Sequence, residues 1–290
     1  MKKTNEHHLR LFVLGLVLIV SAAIAGCFLS ANPNVTLEED PGLARHCIYR
    51  PTDLDSVVGK LPIVVWGAGG CITMGGYYTE FLSEIASHNY VVIASNNINE
   101  LGMSTPQMLI DAIDWIIAEN SRVGSKYYHK IDTTKIAAMG HSCGGLEALH
   151  AGATDSRITT VVAWDSGIFD YGTLGGATKD DLTTLHGPTM WVNAGPKDVA
   201  YAQAEKDYAE VPDYVPSVWA NYDLSEKGSS VLGAHYGTFN DSTGGEYGRV
   251  AVLWLDFTLK DVQANRDQFV GTDCILNSVP KWSVQSKNWG

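Results

Sequence analysis

Lys135-Ile136-Ala137-Ala138-Met139-Gly140-His141-Ser142-Cys143-Gly144-Gly145 is the stretch whose reading decides the fold. Its first half is a short apolar run closed by a glycine, the pattern of a buried strand. Its second half contains G-x-S-x-G, and Gly145 to Ala153 is compatible with a helix. A serine held between a strand and a helix sits on a tight, strained turn, so its neighbours must be small. Gly140, Gly144 and Gly145 meet that need. The hydroxyl then projects at the carboxyl edge of the sheet, beside a helix N-terminus that favours developing negative charge. The five-residue string is weak evidence alone, because glycine and serine are common. The strand before it and the helix after it give it weight.

Working outward, further segments alternate in the same way. Pro62 to Trp66, Tyr90 to Ala94, Thr159 to Trp164 and Thr189 to Asn193 read as buried strands, with Ser217 to Tyr222 as a possible last one. Tyr77 to Ser87 and Tyr247 to Leu259 have helical patterns. Ser104-Thr105-Pro106-Gln107 has the form of a capping box, and Leu109, Ala112, Ile113, Ile116 and Ile117 share one face of the helix behind it. Buried strands alternating with helices predict a mostly parallel sheet covered on both faces. No repeat, linker or long insertion interrupts residues 46–290, so one domain without a large lid is expected there.

A serine hydroxyl needs a base, and on such an elbow the partners follow in the order serine, acid, histidine. His235 is the histidine that lies after residue 186, in the small-residue loop Gly233-Ala234-His235-Tyr236-Gly237. It is the expected base. The acid should follow the strand Thr189 to Asn193, which points to Asp198, with Asp165 as the second candidate. Attack on a carbonyl also needs two N–H groups for the oxyanion. One is that of Cys143. The other belongs to Gly67-Ala68-Gly69-Gly70-Cys71, where Ala68 is favoured and Gly69 is second. No G-K-[ST] or G-x-G-x-x-G pattern makes this loop a phosphate cradle, and the nine histidines form no H-x-H or H-E-x-x-H, so neither cofactor nor metal is expected.

Composition narrows the class further. Among 290 residues, 45% are apolar and 18% charged, a globular balance. The net charge of −12 argues against a nucleic-acid partner. Residues 1–27 read as a secretory signal: Lys2, Lys3 and Arg10 precede the apolar run Leu11 to Ala25. Ile24-Ala25-Gly26-Cys27 resembles the bacterial lipobox, which implies a lipid anchor on Cys27 and a place in the cell envelope. An ordinary signal for secretion, or an uncleaved anchor, is the alternative. Residues 28–45 read as a polar tether. Cys47, Cys71, Cys143 and Cys274 remain beyond the signal, an even number that in an exported chain suggests two disulfides.

These motifs together resemble one branch of the α/β-hydrolase fold, which holds cutinase-like polyester hydrolases, chlorophyllase-like enzymes and dienelactone hydrolases. The resemblance runs over about residues 45–290 and rests on Val64-Val65-Trp66-Gly67, Gly140 to Gly145, Trp164-Asp165-Ser166, Lys197-Asp198-Val199-Ala200 and Gly233-Ala234-His235. It implies a serine carboxylic-ester hydrolase acting on a small or polymeric ester, with a substrate-facing Trp164. A core Trp164 is the other reading. Trp191, Tyr201 and Tyr236 are further pocket candidates. Where the polyester hydrolases carry an aromatic residue in the oxyanion loop, this chain has Ala68, which weakens the expectation of polyester cleavage. On this fold Cys71 and Cys143 become neighbours, so a Cys71–Cys143 disulfide is expected, leaving Cys47 to pair with Cys274. A lipase or amidase on the same residues, or an inactive envelope-binding protein of this fold, are the competing functions.

Overall fold

The computed structural model describes residues 32–170, 174–227 and 234–290. Nine strands form one sheet in the order β1-β2-β4-β3-β5-β6-β7-β8-β9. The strands are β1 (Val35–Glu38), β2 (His46–Pro51), β3 (Leu61–Gly67), β4 (Val91–Ser95), β5 (Ile131–His141), β6 (Thr160–Trp164), β7 (Thr189–Asn193), β8 (Ser217–Tyr222) and β9 (Trp282–Lys287). From β4 to β8 all neighbours are parallel, while β1 and β2 at one edge and β9 at the other are antiparallel. This is the mostly parallel sheet expected from the alternating pattern, and it agrees with the α/β-hydrolase fold that the resemblance implies.

Strand parity divides the core into two layers. Val64, Trp66, Val162, Trp164 and Val192 face α1 (Thr79–Ser87) and α5 (Gly245–Leu259). Ile63, Val65, Val161, Ala163 and Trp191 face α2 (Pro106–Ser121), α3 (Cys143–Thr154) and α4 (Tyr201–Glu210). Burying each such aliphatic side chain contributes about 1.5–3 kcal/mol, so both faces of the sheet stabilise the fold. Covering both faces also explains why these strands are continuous apolar runs rather than alternating ones.

Three expectations need correction. First, β1 lies inside the stretch read as a tether, residues 28–45. Val35 is buried and pairs opposite Pro51, so the sheet begins before residue 46. Second, the helix cap is Thr105 with Pro106 in the first turn, and it makes no side-chain cap bond. The Ser104 hydroxyl instead donates to Glu147 Oε1 at 2.8 Å. Third, Cys47 and Cys274 are both buried free thiols. Cys47 is on β2, whereas Cys274 opens the turn packed on β9. Those strands are seven places apart in the sheet, on the order of 30 Å at the usual strand spacing, far beyond disulfide reach. The signal and lipobox, residues 1–27, lie outside the described residues.

Chain order reverses at β3. The next strand, β4, lies on one side of β3 and β5 on the other. Loops leaving the carboxyl ends of β3 and β5 therefore diverge from adjacent points, which opens a crevice there. Gly67 and Gly140 are paired in register at that point. The oxyanion-loop candidate follows the first, and Ser142 follows the second.

Candidate active site

Ser142 sits at the turn between β5 and α3 with φ 54° and ψ −120°. A non-glycine residue holds such a conformation only when its surroundings enforce it. Here its N–H donates to the Trp164 carbonyl at 2.9 Å, and its own carbonyl accepts the Ser166 hydroxyl at 2.6 Å. The flanking glycines are required by contact. A Cβ on Gly144 would lie 2.1 Å from the Gly67 carbonyl, and one on Gly140 would lie 2.1 Å from the Gly144 carbonyl oxygen.

His235 Nε2 is 2.8 Å from Ser142 Oγ, and its Nδ1 is 2.7 Å from Asp198 Oδ1. Asp198 is an acceptor, so the ring proton is on Nδ1 and Nε2 is free to accept the serine hydroxyl. Asp198 also accepts the Ala200 N–H at 3.1 Å and the Asn193 amide at 3.2 Å. Trp219 Nε1–H donates to the Asn193 Oδ1, which fixes the amide with its NH₂ toward Asp198. Burial alone would raise the Asp198 carboxyl, but His235 and these donors hold it at about 2. The arrangement is a buried acceptor, an oriented imidazole and a half-exposed hydroxyl in one line. It is able to draw the proton from Ser142 as the hydroxyl attacks an electrophile.

A second histidine joins the two sides of the site. His141 Nε2 meets the His235 carbonyl oxygen at 2.7 Å, and its Nδ1 is 2.9 Å from the Tyr78 hydroxyl. The carbonyl only accepts, so Nε2 carries the proton and Tyr78 donates to Nδ1. Tyr78 in turn accepts the Gly69 N–H at 2.8 Å. Burial, with His235 nearby, lowers the His141 ring to about 3, so it stays neutral and the chain of donors keeps one direction.

Cys71 and Cys143 form a disulfide, as expected, and it ties the loop after β3 to the first residue of α3. The oxyanion-loop assignment needs correction. Ala68 is fully buried and its N–H donates to Ser95 Oγ at 3.1 Å. The Gly69 N–H is engaged by Tyr78. Cys143 opens α3, where an N–H has no intrahelical acceptor.

Trp164 also differs from its substrate-facing expectation. Parity places it with Val162 on the α1 and α5 face, fully buried against Phe81 and Tyr247, with ring centroids 5.2 and 4.9 Å away. Trp191 is likewise core. The cleft beside Ser142 is walled instead by Leu146, Phe169, Leu174 and Val199.

Two buried carboxyls near Ser142 had no expectation attached to their charge state. Glu147, on α3, has one oxygen bonded by Ser104 and the other without a partner, and burial pushes it up to about 8. Asp165, the second candidate for the acid, does not contact His235. It accepts the Tyr247 hydroxyl at 2.8 Å.

No curated protein matches the chain. The sequence model of a family described as PET hydrolase-like matches residues 19–205, a span that contains Ser142 and Asp198 and ends before His235. With the nine-stranded sheet and the elbow at its carboxyl edge, this places the chain: it belongs to the PET hydrolase-like family, a family of α/β-hydrolase type.

Proposed function

We propose that the protein is an exported serine ester hydrolase in which Ser142, His235 and Asp198 form a catalytic triad. The observation that carries this reading is the unbroken line from Ser142 Oγ through His235 to Asp198, at 2.8 and 2.7 Å. In this reading His235 Nε2 takes the hydroxyl proton while Oγ adds to the ester carbonyl carbon. Collapse of the tetrahedral intermediate breaks the bond to the alcohol oxygen, which leaves with the proton from His235. Water, deprotonated by the same imidazole, then cleaves the acyl-enzyme. The Cys143 N–H is one donor to the oxyanion. Gly70, the half-buried residue between Gly69 and Cys71, supplies the second, held near by the Cys71–Cys143 bond.

The apolar cleft supports an acyl group of modest size. Ala68 has no ring and Trp164 is buried, so neither supplies an aromatic wall for it. The disulfide supports export, because such bonds persist in oxidising compartments. The test is hydrolysis of short p-nitrophenyl esters by Ser142→Ala. A loss of about 10⁴-fold or more in kcat, with the melting temperature retained, is expected. Full activity of the alanine variant would refute the triad.

A further inference from the structure

Behind Asp198 lies a carboxyl that the triad does not need. Asp165 is fully buried, and its backbone is held at φ 44°, a strained value for a residue with a side chain. Its Oδ1 accepts the Tyr247 hydroxyl at 2.8 Å, while its Oδ2 is buried without a donor. The carboxyl it faces is that of Asp198. Asp198 already accepts N–H groups from His235, Ala200 and Asn193, so every proton directed at it comes from nitrogen. Two oxygens that only accept cannot share a sealed space stably. A proton between them resolves both the repulsion and the orphan oxygen.

We propose that Asp165 is a neutral carboxylic acid whose Oδ2–H donates a hydrogen bond to the Asp198 carboxylate, making it a positioning residue for the triad. The inference rests on the triad reading above. Four features locate the proton on Asp165 rather than on Asp198. Asp198 has His235 beside it and three N–H donors, and is held at about 2. Asp165 has burial and then the Asp198 charge against it, which push it far above the carboxylate range. The titratable groups around the pair are His235, Tyr247 from α5, Tyr78 and the neutral His141. Tyr247 donates to Oδ1 and the Ala194 N–H also acts on this carboxyl, while Oδ2 has no donor, which leaves Oδ2 as the oxygen that carries the hydrogen. A neutral donor in this place aims the Asp198 plane at His235 without adding a second negative charge. The imidazolium formed during attack then faces one carboxylate.

The experiment combines one spectrum with two variants. In the whole protein labelled with carboxyl-¹³C aspartate, one resonance, missing in Asp165→Asn, should stay at the protonated position from about pH 5 to about pH 9. Asparagine keeps both the donor and the acceptor. Asp165→Asn should therefore keep kcat/KM within about threefold and the acid limb of its pH profile within about 0.3 unit. Asp165→Ala removes the donor and should lose about 30-fold. A carboxylate resonance for Asp165 at neutral pH overturns the proposal. So does an acid limb about one unit lower in Asp165→Asn, the mark of a removed negative charge. Wild-type kinetics in Asp165→Ala overturns the positioning role. Failure of the triad itself reads differently, as turnover retained by Ser142→Ala.

Discussion

On one side of Ser142 the loop after β3 is joined to the elbow by a covalent bond, Cys71–Cys143, and by the approach of Gly67 to Gly144. On the other side, Asp198 and His235 come from the loops after β7 and β8, and hydrogen bonds alone bring them together. The proposed acyl transfer would require both sides to hold their atoms within about 0.5 Å. One does so by removing freedom from the backbone. The other does so by saturating each polar atom in turn, from Trp219 through Asn193 to Asp198 and His235. A covalent constraint also acts on the unfolded chain, whereas a saturated network acts on the folded state. The two sides should therefore fail differently.

The largest effect is expected from the covalent side. Replacing Cys71 and Cys143 with serine releases a loop of 72 residues, which in the loop-entropy account removes about 4 kcal/mol of stability. That corresponds to about 8 °C in melting temperature, with kcat about tenfold lower as the Cys143 N–H loses its brace. Calorimetry and ester hydrolysis read both. A double variant that melts and turns over like the parent would show that backbone packing alone holds this side.

His141→Phe comes next, because it cuts a hydrogen-bonded path between the two sides that does not pass through Ser142. The Tyr78 hydroxyl and the His235 carbonyl each lose a buried partner, a cost of about 2 kcal/mol. Activity should fall by about fivefold through misplacement of His235, with the disulfide intact. If thermal stability drops while kcat/KM stays level, the path is structural and the two sides are independent.

On turnover the smallest effect comes from the covalent side, as a pH dependence of stability. Glu147 titrates at about 8 in the folded protein against an ordinary 4.5. Between those values the folded protein keeps a proton that the unfolded chain releases, so stability falls as pH rises through that window. Glu147→Gln removes the dependence. Its melting temperature should be close to the parent's at about pH 5 and exceed it by about 8 °C at about pH 9. Parallel curves for the two proteins would show that Glu147 is ionised throughout.

Much of the framework was legible before any coordinates. The six parallel strands are apolar runs because both faces are covered, and each run was visible as such. The antiparallel edges were not. β1 spans four residues, β2 ends in Arg50-Pro51, and β9 alternates buried with exposed positions over its first four residues. The polar α4 escaped as well, since it buries only Ala204, Asp207 and Tyr208. In the site, Ser142, Asp198 and His235 could be picked because their order along the chain is diagnostic, and the structure brings the three together. The direction of Trp164 could not, because on a sheet buried on both sides parity says which residues share a face but not which face lines the cleft. Asp165 was visible only as the second candidate for the acid, and the contacts of Asp165, Glu147 and His141 had no signal for the same reason in another form. Each is a polar residue in an apolar stretch, and its partner (Tyr247, Ser104 or Tyr78) is supplied by a distant element.

The contact of Gly67 with Gly144 has a bearing on how such a site can diverge. Neither residue accepts even a methyl group without displacing the other's backbone. Lineages, and laboratory libraries alike, are therefore blocked from retuning substrate range through the β3 loop and the elbow. The side chains of Phe169, Leu174 and Val199 line the cleft instead. Novelty in what the protein accepts has its room on that rim, while the rest behaves as an inherited chassis.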